Sequence, residues 1–155
     1  MSKILFLIIL VSFFSCTEQT NPVKPPAKEE LIALRENVVG WWYGKIEIKN
    51  SSNKKEWLKE NRKDGTYTTT FRDTHPDGAF REHQETGIWG VSPGFIFNAV
   101  RGMNTDGKAE EIDLTDAVYY DLYKINAITP KTMTYQNMET GTGYVVVKVN
   151  ETFNL

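Results

Sequence analysis

The sequence predicts an all-β fold, an antiparallel up-and-down barrel of about eight to ten strands behind one short N-terminal helix. Three observations predict it. After Gly40 the chain is a series of short runs rich in Thr, Tyr, Phe, Ile and Val. Glycine, proline and Asp-Gly turns divide these runs at the 8–12-residue spacing of sandwiches and barrels. The runs follow one another through hairpin-length turns, which favours antiparallel neighbours. A meander closed into a barrel also leaves no exposed strand edge, which a sheet without disulfides has to protect. A β-sandwich is the alternative.

Taken in order, residues 27–39 predict the helix. Pro26 precedes its first turn, Glu29 and Glu30 sit near its N-terminus, and Leu31, Leu34 and Val38 recur at helical spacing before Gly40 ends it. Residues 41–48 alternate, placing Trp42, Ile46 and Ile48 on one face. Residues 57–63 and 66–73 flank Asp64-Gly65, the strongest hairpin signal in the chain, and Tyr67, Thr69 and Phe71 share a face. The turn His75-Pro76-Asp77-Gly78 leads into a strand at 80–84, and residues 86–91 carry Ile88 and Trp89. Ser92-Pro93-Gly94 turns the chain into 95–100. Residues 101–116 are charged and read as a long loop, a candidate lid or contact surface. Strands at 118–126, 133–138 and 144–149 follow, and residues 150–155 read as a frayed end.

Before the helix the text is of another kind. Lys3, the apolar run 4–14 and Ser15-Cys16 have the layout of a secretory signal, and the run is too short to span a bilayer by itself. The stretch resembles a bacterial lipoprotein signal, in which the cysteine after a small residue is cut, acylated and left as the new N-terminus. That resemblance implies a signal peptide at 1–15, lipid attachment (palmitate among the acyl chains) at Cys16 and a membrane anchor. Thr17 stands where an aspartate would imply retention in the inner membrane, so the outer membrane is the implied destination. Residues 17–26 contain Pro22, Pro25 and Pro26 and read as a tether reaching about 30 Å at most. Residues 27–155 remain for one domain.

The net charge of −2 gives no sequence-independent attraction for nucleic acid. With Cys16, the one cysteine, acylated, no thiol remains for a disulfide, a thiolate metal site or a nucleophile. Four Trp, seven Tyr and eight Phe are available for the core instead, less Phe6, Phe13 and Phe14, which leave with the signal.

The helix followed by Gly40-Trp41-Trp42 resembles the Gly-x-Trp opening of lipocalins and lipocalin-like bacterial lipoproteins. Asp64-Gly65-Thr66-Tyr67, then Gly87-Ile88-Trp89, then the strands around Tyr123-Lys124-Ile125 and residues 133–138 follow in the order of that family. The resemblance implies that Gly40 and Trp42 form the base of a barrel, with Trp41 outward or toward the helix. It further implies a cup for a small hydrophobic or amphipathic molecule.

The sequence shows no nucleophile elbow, phosphate loop, dinucleotide fingerprint or His-Glu-x-x-His, so neither an enzyme nor a cofactor is expected. His75, His83 and Glu85 are the nearest approach to a metal set, but their spacing fits no ligand motif, and no metal is assigned. The carboxylates of residues 106–113 lack the spacing of a calcium loop. Aromatic density is the remaining signal. Tyr67, Phe71, Phe80, Trp89, Phe97, Tyr120 and Tyr135 are the candidate lining of one interior, either a ligand pocket or simply a filled core. Tyr119 and Tyr123 are expected on the outer face, as a contact for an envelope protein partner.

Overall fold

The structure, a computed structural model, describes residues 27–47 and 53–155; the signal, Cys16, the tether and Ile48 lie outside them. Helix α1 spans Lys28–Val38. Glu29 and Glu30 in its first turn and Arg35 in its last complement the helix dipole. Eleven residues are too few to be stable alone in water, so docking against the sheet holds the helix.

Nine strands follow among the described residues: β1 Gly40–Glu47, β2 Lys54–Asn61, β3 Thr66–Thr74, β4 Phe80–Ser92, β5 Phe95–Thr105, β6 Lys108–Glu110, β7 Tyr120–Ile128, β8 Thr132–Asn137 and β9 Gly143–Val149. Every pairing is antiparallel. The chain runs β1-β2-β3-β4-β5-β7-β8-β9, and β9 returns to β1 with Trp41 opposite Val149 and Gly44 opposite Val146. Eight strands therefore close a barrel, while β6 lies outside the ring as a hairpin on the far end of β5. The architecture is compatible with a lipocalin-like fold.

Several boundaries differ from expectation, each for a local reason. The two runs at 80–84 and 86–91 are one strand, because Glu85 continues the ladder and a bulge takes up the irregularity. Thr86 opposes Gly102 and Gly87 opposes Val100, so Arg101 is the extra residue. The expected loop at 101–116 is half strand. Residues through Thr105 extend β5, and Asp106-Gly107 turns directly into β6 with both residues at positive φ, 52° and 80°. That is the backbone of a two-residue hairpin turn, and the Asp-Gly pair is its sequence signature. The C-terminus is not simply frayed, since the Phe153 ring packs on Tyr43 at 5.0 Å.

The helix and the adjoining strand ends close one end of the barrel. Val38 and Trp42 are fully buried. The Trp42 indole N–H donates to the Val38 carbonyl at 2.8 Å, and Asn61 Nδ2 donates to the same oxygen at 3.3 Å. Arg35 stacks over the Trp89 ring and donates to the Lys63 carbonyl, while Lys148 crosses Trp42 and donates to the Asn37 carbonyl. Ile96, Met133 and Val146 complete the apolar floor. Trp42 lies beneath the helix end, and Gly40 lies at the start of β1 beside it. Gly40 starts β1 at a positive φ of 117° that favours glycine.

Candidate functional site

Above this floor the barrel interior forms a cavity of about 230 Å³ that is partly open to solvent. Strand alternation decides what faces it. Trp42 of β1 opposes Lys59 of β2, Lys59 opposes Thr69 of β3, and Thr69 opposes Glu85 of β4. On the other wall Asn98 of β5 opposes Asp121 of β7. All six of these side chains line the cavity, so the inward set on these strands mixes tryptophan with a lysine, an amide and two carboxylates.

An aromatic wall stands beside them. Trp57 meets Tyr144 edge-on at 5.7 Å, Tyr144 stacks on Tyr135 at 5.3 Å, and Tyr135 meets Tyr123 edge-on at 5.2 Å. Gly44 makes room for it. A Cβ at that position would lie 2.1 Å from the Trp57 ring, so only glycine lets the indole lie flat across β1.

Lys59 is the centre of the polar part. Its Nζ donates to Asn98 Oδ1 at 2.7 Å and lies 4.3 Å from the centre of the Tyr67 ring. Among the described residues it forms no direct ion pair. Burial of the ammonium pushes its pKa down to about 7, although the charges of Asp121 and Glu85 pull the other way. The Glu85 carboxyl is pushed up, first by burial and then by the charge of Asp121, against the opposing pull of Lys59 and Lys55. Asp121 is held in place by Asn137 Nδ2 at 3.1 Å. Tyr67, Tyr123 and Tyr135 are all pushed above their ordinary range, burial being the largest cause in each. Near the floor Asn61 Oδ1 is buried with no hydrogen-bond partner, and Asn61 lines the same cavity. The cavity thus offers two lysines, Lys55 and Lys59, with two carboxylates, an open acceptor and an aromatic face.

Of the seven residues expected to line one interior, Tyr67, Phe71 and Tyr135 do so. Trp89 points inward but is buried at the helix end, under Arg35, with its indole N–H on the Arg62 carbonyl at 3.1 Å. Phe80, Phe97 and Tyr120 face outward and are roughly half exposed. Alternation forces this. Trp89 opposes Asn98, which puts Phe97 on the other face; Phe97 opposes Leu122, and Tyr120 shares the face of Leu122. Tyr123 is corrected in the opposite sense, from the outer face to the cavity wall, and Tyr119 belongs to a 3₁₀ turn at Ala117–Tyr119. Phe97, Tyr120, Leu122 and Ile88 form an exposed apolar strip on neighbouring strands.

His83 stacks on Phe71 with ring centres 4.7 Å apart, and burial lowers its pKa; His75 is exposed in the turn before β4. Among the described residues no three His, Cys, Asp or Glu side chains gather as a metal site would require. Sequence reading missed Lys59, Asn98 and Asp121. The signal available for them was parity, because each sits two residues from an inward aromatic or aliphatic: Trp57, Ile96 and Tyr123. In comparisons with known proteins, no family model and no curated protein matches the chain.

Proposed function

We propose that this barrel is a non-catalytic binding protein for a small amphipathic molecule, carried at a membrane surface by a lipid on Cys16. The observation that carries the reading is the interior cavity, which combines an aromatic wall with unspent polar groups. Aromatic side chains take the apolar body of such a ligand, and a few convergent polar groups fix its orientation. Asn61 Oδ1 accepts a hydroxyl or amine proton at the floor, and Lys59 presents ammonium protons that Asn98 does not use.

Volume limits the ligand. A cavity of about 150 Å³ holds benzene, and drug-sized ligands occupy roughly 300–1,000 Å³. At about 230 Å³ the interior suits a single ring with a short polar substituent rather than a whole acyl chain. Titrating the purified protein with single-ring phenols and amines, with tryptophan emission as the readout, tests this. Trp42 and Trp57 both line the cavity, so saturable quenching is expected, and replacing Val146 with Phe to fill the space should abolish it. A flat response across the set contradicts the reading.

The anchor and the outer-membrane destination rest on residues 1–17 alone. The exposed strip of Ile88, Phe97, Tyr120 and Leu122 supports a second reading, a contact module for an envelope protein.

A further inference from the structure

We propose that Lys59 is a covalent attachment point, whose amine condenses with a small aldehyde or ketone held in the cavity to form an imine. This rests on reading the cavity as a ligand site, and it names the chemical class the site takes.

The geometry is that of a lysine aimed into a ligand space and, among the described residues, without a direct ion pair. Its Nζ has three donors, and one of them is used, on Asn98. Lysines withdrawn from solvent are normally paired, because an isolated buried ammonium is costly. A carboxylate ligand would supply the missing partner, but Asp121 and Glu85 face the same cavity and oppose a second anion. A carbonyl carries no charge to repel. The Trp57 and Tyr135 rings provide the face on which a conjugated or aromatic carbonyl compound can lie.

The surrounding groups suit each step. The neutral amine is the nucleophile, and burial holds Lys59 near pKa 7. At neutral pH about half of it is therefore uncharged, roughly a thousandfold more than for a lysine at about 10.4. Its lone pair attacks the carbonyl carbon, the C–N bond forms, and the proton shed by nitrogen passes to the carbonyl oxygen, giving the carbinolamine. The Glu85 carboxyl, which faces the same cavity, relays a solvent proton to the departing hydroxyl. The C–O bond breaks and water leaves. The iminium cation that remains faces the carboxylates of Asp121 and Glu85. Amine and carbonyl become imine and water, with no oxidant or reductant.

The test uses 4-nitrobenzaldehyde and, beside it, 4-nitrobenzyl alcohol, which has the same ring but cannot condense. The purified full chain is mixed at neutral pH with less than one equivalent of the aldehyde and cyanoborohydride, then mapped by peptide mass spectrometry. The expected result is a single reduced adduct on Lys59, at least tenfold above any other lysine, and no such adduct at that site in Lys59→Met. The alcohol should quench the tryptophan emission of the unmodified chain. Quenching by the alcohol with the aldehyde spread over surface lysines, or placed on Lys55 near the other end of the cavity, overturns the covalent site and leaves the binding cavity standing. Failure of the alcohol to quench overturns both.

Discussion

The chain is expected to gain stability between about pH 7 and pH 10, and replacing Lys59 with methionine to remove most of that rise. The folded-state pKa of Lys59 is held down at about 7, whereas the unfolded chain titrates near 10.4. Between these values the unfolded state binds more protons than the folded one, so stability rises with pH. Below about pH 7 both states carry the charge, and the folded state bears the whole cost of burying it. The difference across the window is up to about 4 kcal/mol. Methionine keeps the length and apolar stem of the side chain and has no charge to bury. Losing the hydrogen bond to Asn98 offsets part of the gain, so the variant should be about 2 kcal/mol more stable at pH 7. Above about pH 10 the sign reverses in both proteins. Tyr43, pushed up to about 12 by burial and by Glu56, and the cavity tyrosines then keep protons that the unfolded chain has lost. Lys148 is also lowered by burial and leaves a smaller slope of the same sign in the variant. Urea unfolding at several pH values between 7 and 10 measures the effect; parallel slopes for the two proteins would contradict it.

Trp42→Ala should cost about 3–5 kcal/mol, the range for removing a large buried aromatic side chain. Trp42 is 1% exposed and lies between the helix end and the cavity floor. Its loss removes the indole hydrogen bond to Val38 and the surface on which Lys148 rests. The Val38 carbonyl keeps Asn61 as a donor, so the damage is mainly lost packing rather than an orphaned acceptor. Trp42→Phe retains much of the area and should cost about 1–2 kcal/mol. Denaturant unfolding followed by circular dichroism gives both values. A loss below about 1 kcal/mol for the alanine variant would mean that the helix end does not close the barrel as described.

The barrel was legible in the sequence because its signals are local. Asp64-Gly65 marks a hairpin by backbone conformation, and Trp42 with Ile46, or Tyr67 with Phe71, marks a face by period two. The site was much less legible. Aromatic identity served as the marker of the interior, although Phe80 and Trp89 have opposite parity and cannot share a face within one regular strand. A consistent parity count leaves Phe80 outside and brings Glu85 in. It carries Lys59 in with Trp57, and Asp121 in with Tyr123. Charge was read as a mark of solvent exposure, and that rule fails where strands enclose a polar cavity. The extension of β5 was hidden differently, because residues 101–105 lack the apolar alternation of a half-buried strand and pair beyond the closed part of the ring. Gly44 gave no signal at all, since its reason is an indole thirteen residues away in sequence.

The most direct test of the account is native mass spectrometry of the chain purified gently from cells. A barrel that holds a small amphipathic molecule in its 230 Å³ cavity should show a reproducible extra mass, no larger than a substituted single ring, that leaves on denaturation. In Lys59→Met that occupancy should fall. A bare protein mass, unchanged after incubation with single-ring phenols, amines and aldehydes, would contradict the claim that the cavity is a binding site.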